Sequence, residues 1–130
     1  MRIPYSRERE PPIPVLDIKI FSPFSGDFIE VTAFIDTGFD GGILIPFNLF
    51  EKLQLNLVEE PYPAQGVFPT GLTTSLHEAL VKVETCNMRF TVHAYSTPFI
   101  NKKLVGRELL NKLILTLNGP KKELEIKIPD

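Results

Sequence analysis

The sequence predicts a mainly β fold, small and closed, with two short helices. Short runs of β-branched and aromatic residues, several of them alternating with polar ones, recur along the chain. Clusters of proline, glycine, serine and asparagine separate these runs. Helical patterning is confined to two stretches, residues 47–53 and 106–112. With 130 residues, 43% of them hydrophobic, the chain suits a single domain with a genuine core. Internal repeats are absent, so no solenoid is implied.

Taken in chain order, residues 1–14 carry four prolines and the run Arg7-Glu8-Arg9-Glu10, a composition that favours extended backbone. They are expected to form a flexible N-terminal arm, with the folded domain occupying residues 15–130. Alternation over residues 15–20 predicts a first strand, and residues 22–27 supply a turn into a second, residues 28–35, which together make a β-hairpin. After Gly41 and Gly42, Ile43-Leu44-Ile45 reads as a short strand, and Pro46 opens the first helix from a position where its missing N–H costs nothing. Residues 59–71, with three prolines and two glycines, argue against regular structure. Strand patterns return over residues 75–84 and 88–95. The second helical stretch follows, and residues 114–117 and 123–128 flank Asn118-Gly119-Pro120 as a last hairpin.

Chemistry concentrates at Phe34-Ile35-Asp36-Thr37-Gly38. The run that precedes it becomes continuously apolar toward its end, so it delivers Asp36 to a Thr-Gly turn at the edge of the core. At such an edge, burial and neighbouring charge are able to tune a carboxyl. Far downstream, Leu104-Val105-Gly106-Arg107 places Gly-Arg after an apolar pair and opens the second helix.

In their order and separation these two motifs resemble those of the retropepsin-like, single-lobe aspartic proteases, with non-viral members the better match. The resemblance covers roughly residues 11 to 118 and includes the entry strand at residues 14–20 and Leu115-Thr116-Leu117-Asn118. It implies a small closed β-barrel and an aspartic endopeptidase in which Asp36, Thr37 and Gly38 form the catalytic turn. Thr37 would bond across a dimer, and Gly38 would let backbone approach the substrate. Asp40 and Arg107 match family positions that pair by charge, with Gly106 as a further structural support. The family's flap falls on residues 65–71, so Gly66, Val67 and Phe68 are expected to contact substrate, with Gly66 and Gly71 as hinges. Phe39 stands where the family carries a small residue. It is expected to fill part of the substrate pocket and to alter specificity.

The chemistry itself asks for a partner. Hydrolysis by carboxyls needs one group to take a proton from water while another protonates the scissile carbonyl, and two adjacent carboxyls achieve this by sharing a proton. The chain has one Asp-Thr-Gly and is too short for two lobes, so a two-fold homodimer must bring two Asp36 side chains together. The expected substrate is an extended peptide or unfolded protein segment, with no metal or organic cofactor. A second reading, from another class, is a catalytically weak or inactive protease-fold module that binds peptides or dimerises.

Other classes fare worse. The formal net charge of −2, with both signs interspersed, gives no basic field for nucleic acid. No apolar stretch approaches the roughly 18 residues that cross a bilayer, and the expected location is cytoplasmic, with no membrane partner. As a calcium loop beginning at Asp36, the chain would place Phe47 where a bidentate acid is required. Gly-x-Ser-x-Gly is absent. Cys86 is alone and reads as a small hydrophobe, and neither His77 nor His93 is assigned a function.

Overall fold

A computed structural model of the chain describes residues 1–61, 64–67 and 70–129. Ten strands are described: β1 (Arg2–Pro4), β2 (Val15–Phe21), β3 (Phe28–Ile35), β4 (Ile43–Leu44), β5 (Ala64–Val67), β6 (Thr73–Thr85), β7 (Met88–Ser96), β8 (Leu104–Val105), β9 (Ile114–Asn118) and β10 (Glu123–Lys127). Two helices, α1 (Phe47–Lys52) and α2 (Arg107–Leu110), and a 3-10 turn at Leu55–Val58 complete the chain.

The larger sheet runs β2-β3-β8-β4-β7-β6-β5, and an additional β2–β6 pairing, through Lys19 with Glu84 and Ile20 with Val83, closes six of its strands into a ring. Closure follows from alternation. Leu16, Ile18 and Ile20 on β2 face inward with Ala33 and Val31 of β3, Val81 and Val83 of β6, and Val92 and Ala94 of β7. Phe50 of α1 and Leu109 of α2 are fully buried against this barrel core. The predicted mainly β, barrel-like class with two short helices therefore holds, and both helices begin within a residue of their expected starts.

Two elements differ from expectation, and a third, whose packing the sequence left open, is now placed. Arg2–Pro4 is not a free arm: β1 pairs antiparallel with β10 in a second sheet, ordered β1-β10-β9. Ile126 N donates to Met1 O at 2.7 Å and Tyr5 N to Lys122 O at 2.9 Å, while Ile3 and Tyr5 pack on the core. Proline content had masked this, because Pro4 ends an edge strand, where a missing N–H is tolerated. β10 pairs with elements of its own chain on both sides, and Leu124 and Ile126 are buried. Ala64–Val67, inside the stretch expected to be irregular, forms a strand because β6 extends beyond the barrel and offers it a partner edge.

Deleting residues 1–5 tests the first of these differences. Loss of the partial burial of Ile3 and Tyr5 costs about 1–2 kcal/mol and lowers the melting temperature by several degrees. An unchanged melting temperature would restore the free-arm description.

Candidate active site

The barrel places Asp36 by threading one strand between two others. β8 runs parallel to β3, with Phe34 opposite Leu104 and Ile35 opposite Val105, and antiparallel to β4, with Ile43 opposite Val105. The loop from Asp36 to Gly42 therefore has to cross the end of β8, and Asp36 N donates to Val105 O at 3.0 Å. Beyond β8, the first amides of α2 serve the same loop. Arg107 N donates to Phe39 O at 2.8 Å and Glu108 N to Gly41 O at 3.3 Å, so helix donors without intrahelical partners hold loop carbonyls.

Gly106 is the hub of this arrangement. A Cβ there would overlap Gly41 O and stand 2.6 Å from both Phe39 O and Phe39 Cδ2. Its N–H donates to Gly42 O at 2.9 Å.

Asp36 is half-buried, and its Oδ1 accepts a hydrogen bond from Gly38 N at 2.9 Å. Among the described residues that is the carboxylate's one hydrogen bond, so its second oxygen is free to meet solvent or substrate. Thr37 and Gly38 are exposed beside it. Arg107 supports the turn differently from the expected ion pair. Its Nη1 donates to Thr37 O at 3.1 Å, and among the described residues Asp40 joins no ion pair within 4.0 Å. Both side chains are exposed in the single chain. The guanidinium meets the backbone oxygen that the turn leaves unsatisfied, and this contact needs no carboxylate.

A cavity of about 790 Å³ opens over Asp36. The loop after β3 supplies Asp36, Gly38, Phe39 and Asp40, the β5–β6 hairpin supplies Gly66, Val67 and Leu76, and the segment before β8 supplies Phe99, Ile100 and Lys102. The structure thus gathers Asp36, Gly38, Phe39, Asp40, Gly66, Val67 and Arg107 around one space. Phe68 lies outside the described residues. The hairpin reaches this space because the first residues of β6, Thr73 to Leu76, leave the barrel and pair with β5. Gly71, beside the hairpin, has φ of +89°, a conformation that favours glycine. Among the described residues, no three His, Cys, Asp or Glu side chains are grouped as metal ligands.

Sequence reasoning missed Tyr95, which also lines the cavity. Its ring meets Phe39 edge-to-face at 5.7 Å, and its hydroxyl donates to Glu78 Oε1 at 2.9 Å. Burial, the Glu78 hydrogen bond and the charges of Glu78, Glu108 and Asp40 all push the phenol well above its ordinary range. The available signal was alternation: Val92, Ala94 and Ser96 face inward, so His93 and Tyr95 project from the other side of β7.

The phenol predicts an alkaline effect on stability. An unfolded tyrosine ionises near pH 10, whereas native Tyr95 keeps its proton to higher pH. The unfolded chain then binds fewer protons than the native one, so stability falls as pH rises above about 10. Denaturant titrations from pH 8 upward should show this decline, and Tyr95→Phe should flatten it; equal slopes in both proteins would contradict the assignment.

Comparison with solved structures agrees with this geometry. The EIAV protease in complex with the inhibitor HBY-793 is similar over 84% of this chain and 92% of its own, with a TM-score of 0.59 and 15% sequence identity. The fold is therefore retropepsin-like. No family model matches the sequence, and no curated protein matches it significantly.

Proposed function

We propose that the protein is an aspartic endopeptidase, active as a homodimer, in which two Asp36 carboxyls activate water for peptide hydrolysis. The observation that carries this reading is the Asp36 carboxylate itself. A Gly38 amide holds one of its oxygens, among the described residues nothing bonds the other, and it faces a cavity of about 790 Å³. Among the described residues this carboxylate has no charged partner, and it serves no evident packing purpose, whereas a second copy beside it would let the pair share one proton and act as acid and base together. Val67, Leu72 and Phe99 expose large apolar side chains on the hairpin and the segment before β8, which suits apolar residues near the scissile bond. Thr37, exposed next to Asp36, is available to the partner's turn.

The roles proposed are catalysis for Asp36, with Thr37 and Gly38 shaping the turn, substrate contact for Phe39, Gly66, Val67 and Phe68, and support for Asp40, Gly106 and Arg107. Activity is expected to be greatest at mildly acidic pH and to fall once both carboxyls are ionised. Incubation with unfolded protein substrates across acidic to neutral pH, reading new termini by mass spectrometry and association by sedimentation, tests the reading. New termini produced by a dimeric species support it. A stable dimer that binds peptides without cutting them would instead identify a protease-fold binding module.

A further inference from the structure

On the outer side of β7, next to the Asp36 turn, four polar side chains from three elements form two hydrogen-bonded pairs that meet at a charge contact. Glu108 of α2 uses both carboxylate oxygens on one residue: Oε1 accepts from His93 N at 2.7 Å, and Oε2 lies 2.8 Å from His93 Nδ1. On the other side of the ring, His93 Nε2 is 4.0 Å from Glu78 Oε1, the oxygen that Tyr95 holds at 2.9 Å. The backbone explains why Glu108 is there. β4 begins to pair with β7 at Ala94, and Gly42 N donates to His93 O at 3.2 Å. The His93 N–H just before that pairing has no strand acceptor, and the Glu108 carboxylate takes the acceptor's place.

We propose that His93 is a positioning residue for the Asp36 turn, its imidazolium holding Glu108 and thereby seating α2 against the catalytic loop. A protonated ring donates from Nδ1 to Glu108 and faces Glu78 with a charge at 4.0 Å; a neutral ring loses that attraction and the charge assistance that roughly doubles the strength of the Glu108 bond. Histidine is the side chain that changes charge between about pH 5 and 8. α2 is one turn long, and the amides of Arg107 and Glu108 hold Phe39 O and Gly41 O, so a change in the seat of Glu108 passes directly to the loop that carries Asp36.

The groups that face the ring are Glu108 from α2, Glu78 from β6, and Tyr95 on the same side of β7, with Asp40 of the catalytic loop acting on Tyr95. Lys82 lies two residues beyond Leu80, the cross-strand partner of His93, and so shares this sheet face. The catalytic consequence rests on the proposed peptidase reading; the structural coupling does not.

Nuclear magnetic resonance of the full chain between about pH 5 and 8.5 tests the coupling without any need for turnover. The imidazole of His93 and the amides of Phe39, Gly41 and Arg107 are expected to titrate with one midpoint. In His93→Gln the amide transition disappears, and in Glu108→Gln the imidazole still titrates while the amides no longer follow. Amides that stay flat in the wild type while His93 titrates overturn the proposal, as do amides that titrate unchanged in His93→Gln. Should either variant fail to fold, co-titration in the wild type decides alone. If cleavage is observed, the alkaline loss of kcat/KM moves in His93→Gln; if none is observed, the peptidase reading falls while the amide titrations still decide the coupling.

Discussion

Asp36→Asn is expected to keep the fold and the association state and to lose peptide cleavage. The asparagine Oδ1 still accepts the Gly38 amide that now reaches the carboxylate at 2.9 Å, so the turn keeps its geometry. What disappears is a group able to take and return a proton. General acid–base catalysis contributes roughly a hundredfold to ten-thousandfold, and a fall of that size in kcat/KM with an unchanged melting temperature is the predicted outcome. Mixing the variant with wild type tests the dyad separately. If both carboxyls are needed and subunits exchange freely, about a quarter of the dimers remain active at equal mixing, whereas independent sites would leave half. Wild-type rates in the variant would remove Asp36 from the mechanism.

The second large effect is expected at Gly106→Ala. Gly106 is extended, with φ −111° and ψ −175°, which any residue can adopt, so the cost is purely steric. The added methyl collides with Gly41 O and presses on Phe39 O, both belonging to the loop that α2 holds. Overpacking of this kind costs about 1–3 kcal/mol or more, a large share of the 5–15 kcal/mol typical of whole domains. Denaturant unfolding should show the loss. Gly26→Ala, where a methyl would meet nothing within 4 Å, serves as the neutral comparison. Equal stability of the two variants would mean that the loop can shift at little cost and that Gly106 is not its hub.

What was legible in the chain was local. The alternation of residues 15–20 and the apolar close of residues 28–35 define a hairpin and the strand that ends at Asp36, because one side of each strand has to be buried. Pro46 marks a helix start through backbone chemistry that needs no distant partner. The two motifs, read together, were enough to expect a retropepsin-like barrel and a carboxylate as the chemical group.

Elements that exist only through distant pairing were not legible. β8 is two residues long and carries no period; it is a strand because it is held between β3 and the equally short β4, which the sequence did show and which pairs with β7. β1 and β5 contain proline or glycine and few β-formers, and they pair because β10 and β6 present free edges. Arg107 was expected to meet Asp40, yet a carbonyl oxygen of Thr37 lies closer to its path. The chain of Tyr95, Glu78, His93 and Glu108 joins residues from β6, β7 and α2. Thus the sequence by itself determined the strand hairpins, the helix starts and the place of Asp36 at the end of β3, all of which follow from neighbours along the chain. Tertiary structure alone decided which strands close the barrel, the cleft over Asp36 and the polar side chains behind it, because hydrogen bonds and charges between residues distant in sequence leave no pattern in the order of the residues.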